Sequence, residues 1–418
     1  MQLSSLSRAA LAAAFVAGIA PANAQNTGIG GTGNNTIGQD KYNAITTAVP
    51  FLTITPDARA AGIGDAGIAN SPDANSPFYN TGKLAFADKP TAASFSITPW
   101  LRNLGFNDMY LAYLTGYHKV NPNNAVTASF TYFNLGQLTF TDVNGGTIRD
   151  FNPQELALQL GYSSRLTQNF SLGVGIKGIY SNLTGNISNA VDVNARPGVT
   201  AAVDLSGYYR KEVSLGATPG EMAFGAAITN LGPKISYSNN NRRDFIPTAL
   251  RLGGRLSLDL DPYNRISFLA DVSKLMVPTP DIRRTFRRGA NGLPDSTQPI
   301  DSNFTSGKNL ISGIFGSFND APRGGTEELE EIMYSAGVEY WYDNLFALRA
   351  GYYHESAFKG NRRYFTGGIG LRYQQFGLDI SYLVPTSRAN QNPLANTLRF
   401  SLLFNFDTAV REEAPPAN

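Results

Sequence analysis

The sequence predicts an all-β fold: a transmembrane antiparallel β-barrel of about fourteen strands. Three observations carry this reading. Stretches of alternating apolar and small or polar residues recur from Ala93 to Asp407. The connections between them alternate between short (Ser164–Asn169, Asp261–Asn264, Tyr342–Asn344, Gln374–Gln375) and long (Asn134–Pro153, Asn182–Arg196, Lys274–Glu331). Charged residues make up only 16% of the chain, below the ~25% typical of soluble domains, while Tyr (20), Phe (25) and Gly (42) are plentiful. Short turns on one side and long loops on the other are the pattern of an outer-membrane barrel.

The elements follow in order. Residues 1–24 read as a signal peptide: Arg8 is the positive n-region, Ala9–Ala20 a short apolar run, and Ala22-Asn23-Ala24 a small-x-small cleavage site. No other run approaches the ~20 apolar residues of a membrane helix. Residues 25–43, rich in Gly, Asn and Thr, read as a flexible leader. Residues 44–92 hold Pro50-Phe51-Leu52, a small-residue run Ala58–Asn70 with Gly62, Gly64 and Gly67, and the turn signals Ser71-Pro72-Asp73 and Asn80-Thr81-Gly82. Such punctuation forbids a long strand, so this segment is expected as a plug in the mouth or lumen of the barrel.

The barrel is expected over residues 93–407. Leu250–Leu260 shows the alternation most clearly. Leu250, Leu252, Leu256 and Leu258 share one face with Gly254, and Arg251, Gly253, Arg255, Ser257 and Asp259 share the other. In a membrane barrel the Leu face meets lipid and the charged face lines the lumen. Leu138–Thr141 is set aside as a side hairpin within a loop. Tyr at the ends of apolar faces fits an interfacial girdle. An even strand count puts both termini on one side, the periplasmic side of short turns, which leaves the long loops extracellular. Residues 408–418, with Glu412, Glu413, Pro415 and Pro416, read as a disordered periplasmic tail.

Chemistry is sparse. A net charge of +2 leaves no nucleic-acid footprint. The absence of Cys excludes disulfides, thiol catalysis and a lipidated N-terminal Cys. The two His, His118 and His354, sit near strand ends outside any nucleophile motif. The run Gly62–Gly67 lacks the Lys-Ser/Thr of a phosphate loop. No cofactor, metal site or enzymatic activity is therefore expected. The inward-facing set Arg251, Arg255, Asp259, Arg265, Asp271, Glu339, Arg349, Arg372 and Asp379 carries both signs on neighbouring strands and is expected to pair with itself across a filled lumen.

The outstanding functional candidate is the longest loop, Lys274–Glu331. It opens with Arg283, Arg284, Arg287 and Arg288. It places Leu310, Ile311, Ile314, Phe315 and Phe318 at helical spacing, and closes with Glu327, Glu328, Glu330 and Glu331. Two readings stand: a loop folded over its own barrel mouth, basic against acidic, or a partner-binding arm with an exposed apolar face.

Two segments resemble a known family. AITTAVPFLTITPDARAAGIGDAGIANSPDANSPFYNTGKLAF, from Ala44 to Phe86, and SGIFGSFNDAPRGGTEELEEI, from Ser312 to Ile332, are similar to PorV (LptO), the outer-membrane barrel of the type IX secretion system of Bacteroidetes. The resemblance implies a FadL-like barrel that binds cargo through a C-terminal secretion domain. The cargo would pass from the translocon (Sov/SprA) to a cell-surface attachment complex containing the sortase-like PorU, within a bilayer of outer-membrane lipid and lipopolysaccharide. Where relatives commonly have Asn-Pro-Ala, this chain has Asn80-Thr81-Gly82. Two other functions are implied more distantly. One is a FadL-like channel for hydrophobic small molecules with Pro50–Gly67 as a movable plug. The other is a lipopolysaccharide O-deacylase using His118 or His354.

Overall fold

The computed structural model describes residues 43–102, 108–141, 144, 146–183, 185, 187–188, 194–238, 243–280, 308–386 and 397–406. The expected signal peptide, the leader apart from Asn43, the C-terminal tail and the Arg283–Arg288 cluster lie outside them.

Fourteen antiparallel strands close into one barrel. They are β1 (Thr91–Pro99), β2 (Tyr110–Asn121), β3 (Asn124–Asn134), β6 (Gln154–Arg165), β7 (Phe170–Asn182), β10 (Gly198–Leu215), β11 (Thr218–Leu231), β12 (Ala249–Asp259), β13 (Asn264–Leu275), β14 (Ile332–Tyr342), β15 (Phe346–His354), β16 (Arg363–Tyr373), β17 (Phe376–Pro385) and β18 (Leu398–Phe406). The predicted side hairpin forms as β4 (Leu138–Thr141) paired with β5 (Thr147–Phe151), apart from the wall; a second small pair joins β8 (Ile187–Ser188) to β9 (Asn194–Ala195). Closure comes from β1 pairing β18, Thr91 opposite Phe406.

The strands form because period-two alternation offers two usable faces. On β7, Leu172, Val174 and Ile176 point outward and are exposed, Ile176 by 64%, while Ser171 and Lys177 point inward and are buried. A water-soluble sheet would bury the apolar set; here lipid solvates it. Inward positions are kept small where the plug must fit. Aromatic side chains gather at the strand ends, as with Tyr352, Phe365, Tyr334 and His354 at the long-loop end.

Residues 50–86 fill the lumen with short irregular pieces: 3-10 turns at Pro50–Thr53, Ser76–Phe78 and Thr81–Phe86, and α1 (Ala58–Gly62). Asp57 caps α1, its carboxylate accepting from Ala60 N (2.9 Å) and from the Tyr79 hydroxyl (2.5 Å). The plug touches the wall backbone to backbone. Gly64 has φ +72°, and a Cβ on Gly351 of β15 would lie 2.1 Å from Gly64 N. Only glycine serves on both sides of that contact. Asn80 holds the final turn, donating from Nδ2 to Ile68 O (3.2 Å) and Gly207 O (2.9 Å).

The described chain enters the lumen from the long-loop end. Asn43 N donates to Phe358 O (2.9 Å), in the β15–β16 loop. The chain leaves at the opposite end, where Thr91 pairs with His118 and Phe406. Barrel strands thus begin and end at the short-turn end, while Asn43 lies at the long-loop end. The described part of the β13–β14 connection carries two helices, α2 (Leu310–Gly316) and α3 (Gly325–Glu330).

Candidate partner-docking site at the long-loop mouth

The charges inside the barrel are joined to the plug. Glu339 accepts from both Nε and Nη2 of Arg59 (2.9 and 2.8 Å) and from Arg349 Nε (2.8 Å). Arg349 Nη1 reaches Asp379 (2.8 Å), which Arg372 also binds (2.8 and 3.0 Å). Arg59 extends the chain to Asp73 (2.9 Å). The two-pronged guanidinium contacts suit this buried geometry. Arg255 binds Glu221 and donates to Ala69 O (3.0 Å). Asp259 and Arg265 pair with each other at the short-turn rim, exposed to solvent, so they belong to the rim and not to the lumen proper. Arg251 lies over the Phe78 ring, 5.5 Å from its centroid. Arg59 and Asp73 were not among the sequence candidates. The signal for them was an ionisable pair set within an otherwise small-residue plug.

At the mouth, the acidic end of the long loop is knotted to three other segments. Glu327 accepts from Lys359 Nζ (2.6 Å), Asn43 Nδ2 (2.9 Å) and Arg323 N (3.0 Å). Glu331 accepts from Lys359 Nζ (2.9 Å) and the Thr279 hydroxyl (2.5 Å), and also binds Lys274. Glu328 receives Lys274 Nζ (3.0 Å) and the backbone N–H groups of Asp320 (2.8 Å) and Ala321 (2.9 Å). Burial disfavours the Glu327 anion, but the hydrogen bonds from Lys359, Arg323 and Asn43 outweigh it and hold the carboxyl below its usual range. The expectation that Glu327 and Glu328 face a partner is thereby corrected. Their oxygens are already occupied, and Glu327 is 1% exposed. Their partners are Lys274, Lys359 and Arg323, whereas Arg283–Arg288 lie outside the described residues.

The predicted helix forms as α2, but its apolar residues divide. Ile314 is buried. At Gly313 the helix comes so close to the loop before β12 that a Cβ would meet the Phe245 ring at 2.5 Å and Pro278 at 3.1 Å. Leu310 is half-buried. Ile311 and Phe315, one turn apart, are each 71% exposed, and Phe318 is exposed beyond them. The corrected apolar surface is therefore Ile311, Phe315 and Phe318; Ile314 is the anchor that seats the helix. An amphipathic helix with one face on the scaffold cannot offer all five residues outward.

The two histidines lie at opposite ends. His118 Nδ1 meets Thr91 Oγ1 (2.7 Å) at the short-turn end, and His354 sits beside Tyr352 Oη (3.3 Å) at the other. Among the described residues no group of three or more His, Cys, Asp or Glu is placed to hold a metal ion.

Comparison with known proteins gives one family. A model described as type IX secretion system protein PorV matches residues 37–282. No curated relative matches the chain. Among solved structures, the Pseudomonas putida toluene transporter TodX is similar at 13% identity and a TM-score of 0.46, with 84% of this chain and 99% of that one covered. A Pseudomonas aeruginosa FadL homologue is similar at 11% identity and 0.40, with 87% and 100% covered. LpxR from Salmonella typhimurium is similar at 9% and 0.32, with 75% and 100% covered. At these scores the likeness carries nothing about ligand or activity.

Proposed function

The chain belongs to the PorV family of type IX secretion system proteins, and from that premise we propose that it is a docking component that receives secreted cargo. It is an outer-membrane β-barrel. In this reading the barrel is a scaffold and α2 is the working surface. Cargo engages through its C-terminal secretion domain, leaves the translocon (Sov/SprA) on this protein and is handed to the attachment complex containing PorU. The long loops face the cell exterior.

One observation carries the proposal: two large apolar side chains, Ile311 and Phe315, stand exposed on a helix that is itself firmly seated. Exposed apolar residues on the barrel wall are covered by lipid. These are not on the wall, and nothing of the described fold covers them. An aromatic residue fixed at the centre of a small apolar patch is the usual form of an interface hot spot. The charges around it are already paired within the cap, so a partner need not desolvate a free ion to reach it. Residues 50–86 occupy the lumen, so in this reading a partner meets the loop face and not the barrel interior.

The test uses the cysteine-free chain. With Ile311→Cys, an impermeant maleimide added to intact cells labels the protein; with Ala217→Cys, in the β10–β11 turn, it does not. The opposite pattern overturns the orientation. Ile311→Asp with Phe315→Asp weakens co-purification with translocon or cargo by about 2 kcal/mol or more, with the barrel still heat-modifiable on gels. Unchanged co-purification overturns the docking role.

A further inference from the structure

We propose that the short-turn mouth of the lumen binds an acidic peptide segment of a partner protein. Three strands carry their inward-facing rows one step past the plug. On β2, Tyr117 is followed on that face by Lys119; on β6, Ser163 by Arg165; on β10, Tyr208 by Arg210. Tyr117, Ser163 and Tyr208 are buried, whereas the three cations are only partly so. All three converge on the end of the plug's final turn. The guanidinium carbons of Arg165 and Arg210 lie 5.0 and 4.6 Å from the centroid of the Phe86 ring. Lys119 Nζ donates to the next carbonyl, Ala87 O (3.0 Å).

Little among the described residues answers these charges. Arg165 donates only to carbonyls of its own turn, Thr167 O (3.3 Å) and Gln168 O (3.0 Å). The Arg210 guanidinium makes no hydrogen bond. Its acid, Glu221, is 3.6 Å away and is also bound by Arg255. The other charges at this mouth cancel locally: Asp88 and Lys89 are consecutive, Lys211 and Glu212 are consecutive, and Asp259 pairs with Arg265. That leaves Lys119, Arg165, Arg210 and Arg255 against Glu221 alone.

The chemistry selects carboxylates carried on a chain. A guanidinium held against a ring keeps the N–H donors at its edge for another acceptor. Arg165 Nη1 and the Arg210 fork are in that state and remain open to solvent, the Arg210 side chain by 30%. Two forks on one ring take two neighbouring carboxylates, and the Lys119 ammonium takes a third. In an extended peptide, side chains two residues apart share a face at a spacing of about 7 Å, so Glu-X-Glu presents its carboxylates as this mouth requires. A lipid headgroup does not fit, because these side chains stand on the inward face and lipid meets the outward one. The site lies at the opposite end of the barrel from α2 and stands whether or not α2 docks a partner.

The experiment is fluorescence anisotropy of a rhodamine-labelled Gly-Glu-Gly-Glu-Gly-Glu peptide with the full-length protein in detergent. Saturable binding is expected, at least tenfold tighter than that of the same peptide with Gln for Glu. Arg165→Gln with Arg210→Gln is expected to weaken the acidic peptide at least tenfold while the barrel stays heat-modifiable. Arg102→Gln with Arg243→Gln removes the same charge from exposed positions at the long-loop end and is expected to leave binding unchanged. Absence of saturable binding overturns the assignment, as does equal binding of the Gln peptide, a result that needs no variant. Equal loss in both double variants overturns it too, and so does tripolyphosphate that displaces the peptide at concentrations where free glutamate-rich peptide does not.

Discussion

The lumen and the cap helix use opposite solutions to the same problem of placing residues against their environment. In the lumen, the central ionisable side chains are buried and answered: Glu339 by Arg59 and Arg349, Asp379 by Arg349 and Arg372. On α2, apolar side chains are exposed and unanswered: Ile311 and Phe315 meet solvent. Burying charge without a partner costs far more than exposing a few apolar groups. The lumen therefore tolerates almost no change, whereas the cap helix tolerates polar substitution of its outer face. Exposed apolar groups on the helix cost little locally, and in the proposed reading they are the surface that a partner covers.

That contrast is broken most severely at Glu339. Glu339→Ala leaves Arg59 and Arg349 facing each other without their shared acceptor, and about 3–5 kcal/mol of stability is lost. Thermal unfolding in detergent, read as loss of heat-modifiable mobility, checks this. The same measurement on Phe315→Asp is expected to move by no more than ~0.5 kcal/mol. Next is the plug–wall contact. Gly351→Val places side-chain atoms against the Gly64 backbone, where even a Cβ would be at 2.1 Å. The expected loss is about 1–3 kcal/mol, with limited proteolysis of residues 50–86 as the readout.

The smallest effect is a pH effect at the cap. Glu327 has a folded pKa held below its ordinary 4.5. Its contribution to stability is therefore complete above the ordinary value and is lost as pH falls through the lowered folded value. Hydrogen-exchange protection over Gly325–Glu331, taken relative to the intrinsic exchange rate at each pH, should be high at pH 7 and fall in acid below pH 4.5. Glu327→Gln should remove most of that pH dependence. A wild-type cap whose protection, relative to the intrinsic rate, is the same at both pH values contradicts the assigned ion pairing.

The barrel was legible because alternation is a local property: Leu250–Leu258 against Arg251–Asp259 can be read in eleven residues. The helix at Leu310–Gly316 was legible for the same reason. Which side of it packs was not, because Phe245 and Pro278 belong to distant loops that only the closed barrel brings together. Which cations pair with Glu327 and Glu328 was not legible for a similar reason. Lys359 and Asn43, partners of Glu327, lie 32 and 284 residues from it in sequence, and Lys274, partner of Glu328, lies 54 residues away. Arg59 escaped notice because its partner Glu339 is 280 residues away. Periodicity reports environment and says nothing about pairing.

The most direct test of the central claim is photocrosslinking in living cells from a crosslinking amino acid at position 315, with position 217 in the opposite turn as the control. The account predicts covalent adducts from position 315 with the translocon or with the C-terminal secretion domain of cargo, and none of these from position 217. Absence of both adducts from position 315, or the same adducts from both positions, would contradict it.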